Sequence, residues 1–153
     1  MEIITKYVEV HIFRQIESKL EFLLLKRSDK EIYGGLWQMV TGKIKKGEKA
    51  FESALREMKE ETGLTPQKFW TAPNINSFYD NKEDCIILLP VFAALVKKDS
   101  DVKISKEHTE FRWTDSKQTK ALLAWPGQRE SVDIIENYFT KEHDFLKFVE
   151  IKL

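Results

Sequence analysis

The chain has 153 residues, of which 42% are hydrophobic and 33% are charged, and this composition excludes a disordered chain. We therefore expect one domain that spans residues 1–153. The 25 basic and 25 acidic residues give a formal net charge of zero, which argues against nucleic acid or an anionic membrane as the partner. The single cysteine, Cys85, excludes an intramolecular disulfide, and no apolar run reaches the about 20 residues that a transmembrane helix needs. Since the sequence also shows no secretory signal, these features predict a cytoplasmic protein.

The first part of the chain contains three predicted strands. Residues 7–16 alternate and are rich in β-branched side chains, residues 20–26 form a second apolar run, and residues 36–41 form a short third one. A turn at residues 17–19 makes the first two strands a hairpin. The polar segment 28–35 ends in two glycines and is a predicted loop. His11 lies inside the first strand, where we expect a structural histidine and not a metal ligand.

A helix is predicted at residues 48–62, because Gly63 supplies a C-terminal stop and Pro66 blocks continuation. Two longer strands follow at residues 69–79 and 84–97, and the second is apolar on both faces, as a central strand would be. The rest of the chain is a charged loop to residue 107, a strand at 111–113 and helices at 116–124 and 129–139. This order of elements predicts an α/β fold in which a mixed β-sheet is sandwiched between α-helices.

The helix at residues 48–62 carries acidic side chains in an unfavourable place. Glu57 and Glu61 are one turn apart at the edge of the apolar stripe, and Glu60 lies on the same flank. Like charges at this spacing repel each other, no lysine is placed to neutralise them, and acids are disfavoured near the C-terminal end of a helix. A divalent cation bound to the carboxylates would offset both effects. The alternative interpretation is a solvated, charged helix face.

The residues around this helix resemble a known signature, the Nudix box. That signature reads G-x5-E-x7-R-E-U-x-E-E-x-G-U, where U is a bulky apolar residue. All nine constrained positions are matched, by Gly42, Glu48, Arg56, Glu57, Met58, Glu60, Glu61, Gly63 and Leu64. The chain is therefore identified as a member of the Nudix hydrolase family. This resemblance implies the Nudix fold and the hydrolysis of a phosphate anhydride.

The resemblance also implies a metal site. Glu57, Glu60 and Glu61 correspond to the carboxylates that bind Mg²⁺ in the family, with Mn²⁺ as an alternative cation. The backbone carbonyl near Gly42 is expected to add a further ligand. One of these carboxylates, or an additional acid from a later loop, would act as the general base.

Other positions of the box and of the late loop receive different roles from the resemblance. Glu48 and Arg56 correspond to a pair that braces the loop against the helix. Glu107 is the candidate for the additional acid, as metal ligand or base, and Glu110 is the second choice. His108, next to Glu107, is interpreted as a loop residue.

Candidate substrate-binding residues lie outside the box. Arg27 matches an arginine that is common in the family at the end of the strand before the box and is expected to bind a phosphate. Trp37 and Gln38 begin a WQ-x-VTG segment, and Trp125 and Arg129 frame a WPGQR segment; both resemble bacterial dATP and dihydroneopterin triphosphate pyrophosphohydrolases. A core role is the alternative for each tryptophan. The box loop is also basic, through Lys43, Lys45, Lys46 and Lys49.

The resemblance implies a small-molecule substrate, a nucleoside or pterin triphosphate from which pyrophosphate is released. The loop at residues 28–35 is longer than we expect for that group. A hydrolase of dinucleoside polyphosphates, of the diadenosine tetraphosphate type, is the alternative enzyme, because a tryptophan in the segment before the box is found in that group as well. A non-catalytic nucleotide-binding module is the alternative outside the enzymes, and a homodimer is a further expectation from the family.

Overall fold

The computed structural model describes residues 1–153 and has a mixed sheet of eight strands at its centre. The strands are β1 (Glu2–Ile4), β2 (Tyr7–Ile16), β3 (Lys19–Arg27), β4 (Trp37–Gln38), β5 (Val40–Lys43), β6 (Lys68–Asp80), β7 (Cys85–Leu95) and β8 (His108–Thr114). The helices are α1 (Ala50–Thr62), α2 (Ser116–Leu122), α3 (Pro126–Thr140) and a final 3₁₀-helix (His143–Phe148). No helix is both long enough and apolar enough to cross a lipid bilayer.

Strand β7 is an interior strand, as its apolar pattern predicts. It runs parallel to β1 and β2 along one edge and antiparallel to β6 along the other. Strand β3 pairs antiparallel with β2, β4 and β8. Because parallel and antiparallel pairs share one sheet, the prediction of a mixed sheet is confirmed.

The alternation of side chains along β2 divides the core between the two faces of the sheet. One apolar cluster joins β2 to α1 and includes Val8, Val10, Ile12, Ala54 and Met58. The cluster on the other face joins β2 to α3 and includes Phe13, Val132 and Ile135. Helices therefore cover both faces, which confirms the predicted sandwich.

Several boundaries differ from the prediction. The strand predicted at residues 36–41 is two strands, because β4 pairs with β3 whereas β5 pairs with β2, so the chain changes partner at Met39. Helix α1 begins at Ala50, two residues later than predicted, after Lys49, whose backbone N–H donates to the Glu52 carboxylate at 2.9 Å. Helix α3 begins three residues early, at Pro126, since proline is favoured in the first turn of a helix. Strand β1 and the 3₁₀-helix were not predicted.

Met58 gives a direct test of how α1 packs on the sheet. Its side chain is 0% exposed and lies in the cluster shared with β2. We expect Met58→Ala to lower the free energy of unfolding by about 2–5 kcal/mol, because it leaves a cavity. Met58→Leu keeps the volume and should cost less than about 1.5 kcal/mol. Equilibrium urea unfolding measures both values, and equal losses for the two variants would contradict the packing.

Candidate functional site

The loop between β5 and α1 is fixed by one arginine. Arg56 Nε donates to Glu48 Oε1 at 2.5 Å, and Arg56 Nη2 donates to Glu48 Oε2 at 3.0 Å and to the Lys43 carbonyl at 3.0 Å. The hydrogen bond from Arg56, followed by one from the Lys45 backbone N–H, lowers the pKa of Glu48 to about 2. Glu48 is therefore ionised across the neutral range, and a two-bond ion pair joins the loop to the helix.

The side chain of Glu57 crosses the backbone of Gly42. A Cβ atom at Gly42 would lie only 2.2 Å from Glu57 Cδ, so any side chain at this position would displace the Glu57 carboxylate. Arg56 Nη1 donates to Glu57 Oε1 at 2.8 Å and to Glu60 Oε2 at 3.2 Å. Arg56 is therefore partly buried among three carboxylates, because its ion pair with Glu48 holds the guanidinium against the helix.

Glu61 is the most unusual acid of the site. It is 3% exposed, and its Oε2 atom has no hydrogen-bond partner. Burial, and then the nearby charges of Glu107 and Glu57, raise the pKa of Glu61 to about 9. A carboxyl group in this position is therefore held neutral at pH 7 unless a positive charge is supplied.

Glu61 lies beside two residues from the start of β8. Three possible ligand atoms lie within 4.8 Å of one another, one each from Glu61, Glu107 and His108. His108 Nε2 lies 3.7 Å from Glu61 Oε1 and 3.2 Å from Gln38 Nε2. Burial, with a smaller effect from Arg27, lowers the pKa of His108 to about 4, so the imidazole is neutral at pH 7.

His108 is a candidate site residue whose place in the group is not evident from the local sequence. It is buried at the beginning of β8 and is not a loop residue, because β8 starts three positions earlier than predicted and pairs with β3 as far as Arg27. Burial of a polar residue at a strand end cannot be inferred from so short a pattern. Glu110, the second choice for the additional acid, is exposed and lies 3.6 Å from Arg112.

The predicted substrate-binding residues occupy different environments. Arg27 is partly buried, and its Nε donates to the Ile32 carbonyl at 2.6 Å. The Trp37 ring lies under the Arg112 guanidinium, 4.7 Å from its centroid, whereas Trp125 is 45% exposed. Arg129 Nη1 is engaged with the backbone, through carbonyls of the turn before α3. The four lysines of the box loop are all exposed: Lys43, Lys45, Lys46 and Lys49.

The comparison with protein families agrees with this arrangement. A model described as the NUDIX domain matches residues 6–134, which is most of the chain. The chain belongs to the Nudix hydrolase family. The fold predicted from the box is thereby confirmed as well.

Individual relatives differ in the share of their length that they have in common with this Nudix chain. It is 34% identical over 106 residues to an octanoyltransferase from Myxococcus xanthus, covering 65% of this chain but 28% of that protein. It is 29% identical over 114 residues to the asymmetrical bis(5′-nucleosyl)-tetraphosphatase of Caenorhabditis elegans, covering 73% of this chain and 80% of that protein. It is 26% identical over 113 residues to the nucleoside triphosphatase NudI of Klebsiella pneumoniae, covering 69% and 80%.

Two solved structures share the fold. A NUDIX hydrolase from Listeria monocytogenes superposes with a TM-score of 0.77 at 22% identity, covering 90% of this chain and 95% of that chain. The dihydroneopterin triphosphate pyrophosphohydrolase of Escherichia coli superposes with a TM-score of 0.72 at 22% identity, covering 87% and 99%.

The donor groups of this Nudix site fit a divalent cation. The partnerless Oε2 of Glu61 is an oxygen ligand of the kind that Mg²⁺ and Mn²⁺ take, and Glu107 and the neutral His108 place further lone pairs beside it. A positive charge at this point would relieve the repulsion among the carboxylates that raises the pKa of Glu61.

The raised pKa of Glu61 predicts a pH effect on the stability of the cation-free protein. The folded state keeps the Glu61 proton up to about pH 9, whereas the unfolded chain loses it near 4.5, so stability falls as the pH rises through this interval. Glu61→Gln has no proton to lose, and we expect its melting temperature in EDTA to exceed that of the wild type by a margin that grows from pH 5 to pH 9. Glu60→Gln, at an exposed position of the same flank, is the control and should show no such growth. A constant margin for Glu61→Gln would contradict the assignment.

Proposed function

We propose that the protein catalyses Mg²⁺-dependent hydrolysis of a phosphate anhydride in a nucleoside-triphosphate-like substrate, a (d)NTP or dihydroneopterin triphosphate, and releases pyrophosphate and a monophosphate. The observation that carries the proposal is the buried Glu61 carboxyl, whose Oε2 lacks any partner beside the Glu107 and His108 donors. Such a group has no structural use in the core, since it costs free energy until a cation arrives.

In this proposal Glu57, Glu60 and Glu61 hold the cation, with Glu107 and the carbonyl near Gly42. His108 adjoins this group, and its Nε2 lies 3.2 Å from the amide nitrogen of Gln38, so Gln38 holds the imidazole in place beside the cation site. When bound, the cation neutralises the phosphoryl oxygens and lowers the pKa of a water molecule.

The protein groups then do the remaining work. Glu107 is exposed at the edge of the group and accepts the proton of the attacking water at a carboxylate oxygen. Arg27, whose Nε is fixed on the Ile32 carbonyl and whose Nη2 lies 3.7 Å from Glu31, presents its guanidinium to a phosphate of the substrate. Glu48 and Arg56 keep the loop at Gly42 against α1.

Substrate recognition is assigned to the residues around β4 and the start of α3. Trp125 offers an exposed ring to a base or pterin. The Trp37 ring is covered by the Arg112 guanidinium, so we assign Trp37 a supporting role next to Gln38 in β4. Gln38 acts through His108, to which it is hydrogen-bonded. Arg129 acts through the turn that carries Trp125, because its Nη1 donates to two carbonyls of that turn.

A second substrate class is supported by one specific observation. The asymmetrical bis(5′-nucleosyl)-tetraphosphatase of C. elegans shares 29% identity over 80% of its length. Hydrolysis of a dinucleoside polyphosphate is therefore the alternative. A non-catalytic nucleotide-binding module is disfavoured, since all box carboxylates are present.

The proposed setting of the protein is the cytoplasm, where the buried Cys85 stays reduced. In this proposal one domain, residues 1–153, acts on a small-molecule substrate. The homodimer stays a prediction.

A substrate panel tests the proposal. The wild-type protein is incubated with MgCl₂ and nucleoside triphosphates, dihydroneopterin triphosphate or diadenosine tetraphosphate, and pyrophosphate is measured separately from phosphate. Pyrophosphate release from triphosphates supports the proposal, and cleavage of diadenosine tetraphosphate alone supports the alternative. Binding without cleavage of any compound would favour the non-catalytic module.

On the preferred substrate, Glu57→Gln and Glu61→Gln should each lower kcat by about 10²–10³-fold, the usual cost of removing one group that stabilises charge in the transition state. Glu130→Gln, at an exposed position of α3, is the matched control and should retain wild-type kcat. Circular dichroism should show all three variants folded. Normal turnover in the Glu61→Gln protein would exclude the mechanism.

A further inference from the structure

We propose that Tyr33 and Trp125 together form an aromatic subsite that binds the planar heterocyclic ring of the substrate. The inference rests on the proposed function and deepens it, because it adds Tyr33, from the long loop between β3 and β4, as a residue that contacts substrate. The two rings lie edge to face with centroids 5.6 Å apart and an interplanar angle of 72°. Tyr33 is 63% exposed and Trp125 is 45% exposed.

The loop that presents Tyr33 is closed by hydrogen bonds to Arg27. Tyr33 has φ = 58°, in the left-handed region that non-glycine residues rarely adopt. Arg27 closes the loop, since its N–H donates to the Leu36 carbonyl, its carbonyl accepts from Gly35, and its Nε donates to the Ile32 carbonyl. A large aromatic side chain that is mostly in solvent contributes little to folding, so its place at this positive φ is better explained by a contact with a ligand.

The turn that presents Trp125 is fixed independently. Arg129 Nη1 donates to the carbonyls of Leu123 and Ala124, at 2.9 and 3.1 Å, and so closes the turn before α3. From below, Gln128 Nε2 donates to Glu9 Oε1 at 3.0 Å, where Glu9 is 1% exposed. The exposed ring is thus anchored through its neighbours to a buried carboxylate of β2.

That anchor is a buried polar network under the start of α3. Burial would raise the pKa of Glu9, but hydrogen bonds from His11, Gln128 and Asn76 outweigh it and hold that pKa below its usual value. A Cβ atom at Gly127 would lie 2.0 Å from Asn76 Oδ1, so the helix start and β6 are in direct contact. The network therefore fixes the start of α3 and, with it, Trp125, the residue that precedes this helix.

Both loops are tied to the segment that carries the candidate metal ligands. The Ser28 backbone N–H donates to the Glu107 carbonyl at 2.9 Å, which joins the Tyr33 loop to the start of β8. Leu123, two residues before Trp125, forms a β-bridge with Trp37, whose neighbour Gln38 contacts His108. A substrate whose phosphates lie at Glu61 would therefore have its ring directed toward Tyr33 and Trp125.

The geometry of the pair determines how a ring binds. At a centroid distance of 5.6 Å there is no room for a ligand between the two rings. We therefore place the heterocycle on an exposed face of Trp125, with the edge of the heterocycle against the Tyr33 ring. The shared chemistry is a purine or pterin attached to a polyphosphate. The ring comes either from the base of a triphosphate or from the second nucleoside of a dinucleoside polyphosphate.

Kinetics of ring-deleting and ring-conserving variants test the subsite. Tyr33→Ala and Trp125→Ala are compared with Tyr33→Phe and Trp125→Phe, using a nucleoside triphosphate and diadenosine tetraphosphate as substrates. We expect the alanine variants to raise KM about tenfold, within the range found for base–aromatic stacking, with kcat little changed. The phenylalanine variants keep a ring and should raise KM by less than the alanine variants. A higher KM for the triphosphate identifies the base of the triphosphate as the ligand of the subsite. A higher KM for diadenosine tetraphosphate alone identifies the second nucleoside as that ligand.

A ligand without a ring is the control for a merely structural effect. Inorganic tripolyphosphate, used as a competitive inhibitor, should keep its wild-type inhibition constant in both alanine variants. The proposal would be overturned if the alanine variants kept the wild-type KM, or if their inhibition by tripolyphosphate weakened as much as their KM rose. A change in oligomeric mass on removing either ring would also overturn it. If the wild type cleaves nothing, the proposed function fails by itself, and calorimetric titration with GMP and AMP still decides the subsite: tenfold weaker binding to the alanine variants supports it, and equal or undetectable binding by all forms overturns it.

Discussion

Three carboxylates, those of Glu48, Glu57 and Glu60, share the guanidinium of Arg56, and a fourth, that of Glu61, is buried on the same flank of α1. The main restraint is Arg56, which bonds to Glu48, Glu57 and Glu60 at once and so carries the loop and the helix together. It does not reach Glu61, whose pKa burial raises to about 9. The flank therefore contains one carboxyl group, that of Glu61, whose ionised form Arg56 does not stabilise and a bound cation would.

The two faces of the sheet have separate tasks. The face toward α1 carries the acids, with Gly42 leaving space for Glu57. The other face buries Glu9 and His11, which hold the start of α3 through Gln128. Since β2 contributes Val8 to one face and Glu9 to the other, a single strand connects the proposed chemistry with the proposed recognition of the ring.

Much of this arrangement could be predicted from the sequence, because it depends on local spacing. The box placed a helix with acids on one flank, and the apolar run at β7 indicated an interior strand. The parts that could not be predicted arise from long-range pairing: β1 exists only through its parallel partner β7, and His108 is buried only because β8 extends along β3 to Arg27. The pairing of Tyr33 with Trp125 joins two loops that are distant in sequence, and no local pattern reports such a contact.

The central claim is that the acidic flank of α1 holds a divalent cation, and anomalous diffraction from crystals soaked in Mn²⁺ tests it most directly. We predict an anomalous peak within about 2.5 Å of carboxylate oxygens of Glu57 and Glu61, with Glu107 or His108 also within reach, and its loss in Glu61→Gln crystals. A peak that persists unchanged in the variant, or none at this flank in the wild type, would contradict the account.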